Sequence, residues 1–338
     1  MKTRTWLKLA SVGASVVLAR SVMRHRRTLD LTGRVVVITG GSRGLGLVLA
    51  RALVERGARV AICARDEAEL DRARSELEQL GGDVFTAVCD VSERDDVLRF
   101  IASVEDDFGP IDVLVNNAGI IQVGPLELMT EDDFERALQV NLRGPLHAML
   151  AVLPAMRRRG AGRIVNIASI GGKIAVPHLA PYTTSKFALV GLSEAMRAEL
   201  VKDGIYVTTV CPGLMRTGSA RHAWFKGHVQ AEYAWFSIGD SNSLSSVSAE
   251  SAVEQIIRAF CRGDAGVVIS PQAKLASFIH GLAPGLVQEA LAVVARMMPG
   301  PTPARSKLAV EGKDAESAFS PSPFTRQSDA AARRNNEN

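Results

Sequence analysis

Tyr182 and Lys186 stand four residues apart in Tyr-Thr-Thr-Ser-Lys, a spacing that puts a phenol and an ammonium on one face of a helix. A phenol titrates near ~10 and is a poor base at neutral pH, but a neighbouring cation favours its phenolate, so the pair suits proton exchange with a substrate oxygen. Such a pentapeptide is by itself a common helix start. Ser169 gives it weight, because it closes the aliphatic run RIVNIAS thirteen residues before Tyr182. Ligands of open α/β sheets bind at strand ends of this kind.

A second set of residues could hold a phosphate. Thr39-Gly40-Gly41-Ser42-Arg43-Gly44-Leu45-Gly46 follows the run VVVIT and opens an amphipathic stretch that ends at Gly57. Glycines there let the backbone turn tightly and approach a ligand, and the amides of a helix start face an anion. The turn lacks the GK[ST] ending of a nucleoside-triphosphate loop. After the first strand of a doubly wound sheet it fits a dinucleotide pyrophosphate, with a purely structural turn as the alternative. An acid closing the second strand would accept the ribose hydroxyls of NAD, whereas here that strand ends Cys63-Ala64-Arg65. Arg65, with Arg43 reaching the same side, offers guanidinium groups for a 2′-phosphate and points to NADP(H). In the opposing reading both arginines are solvated and Asp66 takes the ribose.

Taken together, TGGSRGLG, Asp90-Val91, Asn116-Asn117-Ala118-Gly119, Asn141, Ser169, Tyr182-x-x-x-Lys186 and Pro212-Gly213 resemble the short-chain dehydrogenases/reductases, over roughly residues 31–271. The resemblance implies a nucleotide-binding oxidoreductase that interconverts a carbonyl and an alcohol without a metal. Gly40, Ser42, Arg43, Gly44, Leu45 and Gly46 would line the cofactor phosphates, Asp90 and Val91 would meet adenine, and Asn117 would lie along the cofactor. Ser169 would hydrogen-bond the substrate oxygen and Tyr182 would exchange its proton. Lys186 would hold the nicotinamide ribose and lower the pKa of Tyr182, while Asn141 would hold the water that links Lys186 to solvent. Pro212, Gly213, Leu214 and Thr217 would flank the nicotinamide carboxamide. A silent NADP(H)-binding sensor or scaffold, and an epimerase or dehydratase using bound cofactor, remain as alternatives.

The elements that must position these residues are legible as aliphatic runs alternating with helical patterns. VVVIT, ARVAICA, VFTAVCD, IDVLV, RIVNIA, YVTTV and GVVIS predict a doubly wound parallel seven-stranded sheet, a Rossmann fold, in a single domain of residues 30–273 with extensions at both ends. Cys63, Cys89, Cys211 and Cys261 form no CxxC pair and have no histidine at metal-ligand spacing, so neither a zinc site nor a disulfide framework is expected. After Thr217 the aromatics Trp224, Phe225, Tyr233, Trp235 and Phe236 either cover an apolar ligand or pack a helical insertion onto the body.

The ends carry the rest. Seven basic residues precede the first acid, Asp30, so the formal charge of +4 leaves −3 on the remainder of the chain, which argues against a nucleic-acid surface. Residues 1–29 combine this charge with an uncharged run, 9–19, that as a helix would span only about 16 Å of a ~30 Å bilayer core. We read them as a membrane anchor or interfacial helix holding the enzyme on the cytoplasmic side of a membrane, with a cleaved signal or a soluble cytoplasmic extension as alternatives. Residues 274–299 form a second apolar helical segment broken by Pro284 and Gly285, open to subunit, membrane or lid roles. Residues 300–338, rich in Pro, Ser, Ala and charge, are expected to be disordered. The partners expected are a lipophilic carbonyl or alcohol, a membrane surface and a second copy of the chain.

Overall fold

The computed structural model describes residues 24, 27–241, 246–301, 308–315, 322 and 325–337. Strands β1 (Val35–Thr39), β2 (Arg59–Ala64), β3 (Val84–Val88), β4 (Ile111–Asn116), β6 (Gly162–Ile167), β7 (Ile205–Pro212) and β11 (Gly266–Ile269) form one sheet in the order β11-β7-β6-β4-β1-β2-β3. Every pairing in it is parallel. These are the seven runs expected from the sequence.

Strand β1 shows why the runs are continuously apolar rather than alternating. Val36 and Ile38 pack with the helices α1 (Gly44–Val54) and α8 (Ala249–Cys261). Val35 and Val37 point the other way, toward α3 (Arg94–Ser103) and α5 (Gly144–Arg159). Side chains of a strand alternate between faces, so burying both faces requires apolar residues at every position. From β1 the chain proceeds to β2 on one side, while β4 lies on the other. The crevice above that reversal is where a doubly wound sheet binds its ligand.

The C-terminal extension departs from expectation. Strand β12 (Val310–Glu311) pairs with β9 (Trp224–Phe225), which pairs with β5 (Gln122–Val123). Helix α11 (Arg326–Arg334) buries Ser328, Ala331 and Ala332. The described part of residues 300–338 is therefore ordered, contrary to the disorder predicted. Its burial uses small side chains, with Ala332 set against Gly218 closely enough that a Cβ on the glycine would meet its Cα at 2.4 Å. A sequence pattern that searches for large apolar residues does not register such packing.

Two further helices, α9 (Pro271–Leu282) and α10 (Pro284–Ala295), follow β11. They leave Leu275, Phe278, Leu282, Leu286 and Val293 exposed. The apolar run of the leader lies outside the described residues. At its end, Arg24 donates to Asp264 at 2.6 Å and Arg27 stacks over Tyr206, so part of the basic cluster is held by the body. Among the described residues no helix is long and apolar enough to cross a membrane.

Candidate active site

The Gly-rich turn is built by close approach of backbone to backbone. Gly40 has φ +64°, and a Cβ there would lie 2.9 Å from the Ala118 Cα. At Gly46 a Cβ would meet the Gly40 carbonyl oxygen at 2.1 Å. Neither position admits another residue without moving the turn. Asn117 fastens it to the end of β4, its Nδ2 donating to the carbonyl oxygens of Gly40 at 2.8 Å and Thr39 at 3.2 Å. The Thr39 hydroxyl accepts from the amides of Asn117 and Ala118. Asn117 thus supports the turn as well as lying at the crevice. Leu45 is buried in α1.

Beyond β6 and β7 the second set converges. Ser169 follows β6, and its Oγ accepts from the Gly171 amide at 3.0 Å. Helix α6 (Ala180–Leu200) carries both Tyr182 and Lys186. A Cβ on Gly171 would lie 3.3 Å from the Tyr182 ring and 3.4 Å from the Ser169 Oγ, so serine and phenol share one small space. The Lys186 Nζ donates to the Ile167 carbonyl at 2.9 Å and lies 5.7 Å from the Tyr182 ring centroid.

Asn141 sits in a π-helical turn, Gln139–Arg143, between α4 (Glu131–Leu138) and α5. It is fully buried. Its Oδ1 accepts from the Ile120 amide at 2.9 Å, and its Nδ2 donates to the Ile120 carbonyl and the Ser185 Oγ, both at 3.0 Å. It and Lys186 border the same point, for a Cβ on Gly119 would lie 3.0 Å from the Asn141 Oδ1 and 3.4 Å from the Lys186 Nζ.

The electrostatics correct one expectation. Lys186 is expected to lower the pKa of Tyr182, yet burial outweighs the Ser169 hydrogen bond and pushes the phenol up to about 12. Burial also takes the Lys186 ammonium down to about 8. A low-dielectric surrounding disfavours both charged forms, and at 5.7 Å from the ring centroid the ammonium does not overcome it. Tyr182 is only half-buried, so a neutral phenol is presented at an accessible edge.

At the other end of the crevice Arg65 is exposed and lines a cavity of about 440 Å³ with Asp90, Ser92 and Val140. Asp66 is the N-cap of α2 (Glu67–Gln79), accepting from the Glu69 amide at 2.8 Å. The Asp90 Oδ1 accepts from the amide and hydroxyl of Ser92. Val91 is buried, and its carbonyl oxygen would be 2.8 Å from a Cβ on Gly144. Arg43 is paired: its Nη1 donates to the Glu69 Oε1 at 2.8 Å, and the Ser42 Oγ donates to the Glu69 Oε2 at 3.0 Å. Pro212 ends β7, the Gly213 amide donates to the Ile269 carbonyl, and Leu214 begins β8 (Leu214–Arg216). The Thr217 carbonyl accepts from the Asn335 Nδ2 at 3.3 Å.

Glu69 and Asp240 carry no local signal in the sequence, whereas the aromatic stretch after Thr217 does. Glu69 ties Ser42 and Arg43 together from α2. Helix α7 (Val229–Ser241) brings Tyr233 and Phe236 into a buried cluster with Phe225, against which the Tyr182 ring packs. Phe225 meets Tyr233 and Phe236 edge to face, at 5.4 and 6.0 Å, so the aromatic stretch packs a helix onto the body and borders the site. One turn beyond Phe236, Asp240 is buried and its carboxyl is pushed up to about 7 by burial alone. The Ser237 Oγ beside it is buried without a hydrogen bond.

Comparison with known proteins bears on the same region. A family model described as short chain dehydrogenase matches residues 34–226. A dehydrogenase/reductase SDR family protein 7-like from Anopheles gambiae is 33% identical over 287 residues, covering 83% of this chain and 89% of the relative. Gluconate 5-dehydrogenase of Gluconobacter oxydans is 38% identical over 195 residues, 58% of this chain and 76% of that one. Among solved structures, a short-chain dehydrogenase from Streptomyces avermitilis superposes with a TM-score of 0.69 at 28% identity, over 80% of this chain and 99% of its own. An actinorhodin polyketide ketoreductase solved with NADPH gives 0.64 at 32% identity, over 71% and 97%. With its parallel sheet and these relatives, the chain belongs to the short-chain dehydrogenase/reductase family of oxidoreductases.

Proposed function

We propose that the protein interconverts a carbonyl and an alcohol with NADP(H), Tyr182 serving as general acid or base. The observation that carries this reading is the convergence of Ser169, Tyr182 and Lys186 at one crevice with a turn whose glycines admit backbone-close approach. The cofactor, when bound, supplies or accepts a hydride. Gly40, Gly44, Leu45 and Gly46 would face its phosphates, Asp90 and Val91 its adenine, and Pro212, Gly213, Leu214 and Thr217 its nicotinamide end. Ser169 orients the substrate oxygen, and Tyr182 delivers a proton as charge develops there, so no free alkoxide accumulates. Lys186 holds the ribose, and Asn141 steadies the loop beside it. The neutral phenol is the form that delivers a proton in carbonyl reduction, and the phenolate is the form that accepts one in alcohol oxidation.

NADP(H) rather than NAD(H) is supported by the exposed Arg65 and by Asp66, whose carboxylate already caps α2. The likeness to a ketoreductase solved with NADPH agrees. Changing Arg65 and Arg43 together to alanine is expected to weaken NADPH by roughly 2 to 4 kcal/mol, as two charge-assisted contacts, and to leave NADH nearly unaffected. Titration with both nucleotides checks this, and an equal loss for both means that the arginines support the turn rather than discriminate.

The aromatic cluster beside Tyr182 supports a lipophilic carbonyl. Turnover of long-chain ketones, aldehydes and steroid-like ketones, with NADPH and NADH in parallel, tests the whole reading; a chain that binds NADPH and turns over no carbonyl or alcohol refutes it. The leader, residues 1–29, is proposed to hold the enzyme at the cytoplasmic face of a membrane through apolar burial and attraction to anionic lipid. Deleting only residues 1–23 spares the Arg24 and Leu29 contacts with the body. Such deletion is expected to release the protein from the membrane fraction with turnover of a soluble ketone preserved. Release only after further removal of residues 275–298 would assign the contact to α9 and α10.

A further inference from the structure

Residues 335–337 lie in the Gly-rich turn. The Gly44 amide, which opens α1 and faces the phosphate position, donates to the Asn335 carbonyl at 2.8 Å. The Asn336 Nδ2 donates to the carbonyl oxygens of Ser42 at 2.9 Å and Glu69 at 3.1 Å. Arg51, on α1, donates to the Asn335 Oδ1 and the Arg334 carbonyl. Glu337 is 3% exposed, and its Oε1 would lie 2.3 Å from a Cβ on Gly44. Its Oε2 is 3.6 Å from the Arg43 Nε and 3.2 Å from the His222 Nε2. A carboxylate thus stands where the helix-start amides and Arg43 would receive a cofactor phosphate.

We infer that the cofactor-phosphate cradle is also a binding site for the chain's own segment 335–337, which brings the Glu337 carboxyl to it, and that this segment and NADP(H) exclude one another. The inference rests on the reading of the turn given above. The Gly44 amide, taken by the Asn335 carbonyl, cannot also serve a phosphate, and the space against Gly44 is filled by Glu337.

The seat is built to be left. The Glu337 Oε2 is buried without a properly directed hydrogen bond. His222, taken down to about 4 by burial and Arg43, is neutral at physiological pH and forms no ion pair with it. Burial, opposed by Arg43 and Arg221 and reinforced by Glu69, pushes the Glu337 carboxyl up to about 7. A carboxyl raised above its ordinary value favours the seated state when protonated, so the seat weakens as pH rises through about 7. A phosphate brings more charge and more acceptor oxygens to the same donors.

The test uses the full chain and a version ending at Arg334, with NADPH affinity read by cofactor fluorescence. If the tail is seated about nine-tenths of the time, its removal tightens NADPH about tenfold, because occupancy of the closed form lowers apparent affinity in proportion. Glu337→Lys in the full chain, which sets a cation against Arg43 while keeping α11, is expected to do the same should the shortened chain fold poorly. Hydrogen exchange at residues 335–337 is expected to accelerate when NADPH is added. Unchanged or weakened NADPH affinity in both variants overturns the tail site and leaves the cofactor reading intact. Loss of affinity for both NADPH and NADH in every version overturns both.

Discussion

Replacing Tyr182 by phenylalanine is expected to abolish nearly all turnover, by about a thousandfold or more, while changing NADPH affinity little. The substitution removes one oxygen and leaves the ring to pack against Phe236 and the rest of its cluster, so the fold should not report the change. Only the proton delivered to the substrate oxygen is lost, and that loss falls on kcat. The wild-type pH profile carries the same assignment. With the phenol at about 12, the acid form is fully populated from pH 6 to 8, and ketone reduction should be flat over that range as far as Tyr182 controls it. Alcohol oxidation needs the phenolate, whose fraction grows tenfold per pH unit below the pKa, and should climb. Steady-state rates in both directions decide this. Retained turnover in the phenylalanine variant would sink the role given to Tyr182.

Lys186→Met is expected to damage rate and cofactor affinity together, by about a hundredfold or more in kcat/KM. The ammonium reaches the Ile167 carbonyl at 2.9 Å from a nearly fully buried position. A depressed lysine pKa places its stabilising contribution above about 10.5, with stability lost as pH falls toward about 8. At neutral pH the buried charge therefore costs on the order of 3 kcal/mol, and packing alone gives no reason to keep it. The variant should melt no lower than wild type at pH 7. Thermal melts beside kinetics separate the possibilities, since a lower melting temperature with unaltered kcat/KM would make Lys186 structural.

How far each conclusion was legible depended on how local its physics is. The seven strands of the sheet could be read because a strand buried on both faces must be apolar at every position, and each such run is contiguous. The Gly-rich turn could be read because backbone contacts as close as Gly46 against the Gly40 carbonyl forbid any Cβ, which leaves glycine in the sequence. Tyr182 and Lys186 were visible because helical periodicity puts them on one face, and Ser169 because it ends a strand.

What only the tertiary structure decided depends on residues far apart in the chain. Glu69 meets Ser42 and Arg43 from a different helix, so the arginine that reads as a free phosphate ligand is already paired. Asp240 becomes a buried carboxyl only because α7 folds onto the cluster around Tyr182. The sign of the Tyr182 shift was unreadable, since desolvation depends on everything packed around the phenol and not on the spacing to Lys186. The tail was misread for the same reason. Its alanines and asparagines bury little apolar area and have no periodicity of their own, and they are held by backbone groups at Ser42, Gly44 and Thr217 that exist as a surface only once the sheet has formed.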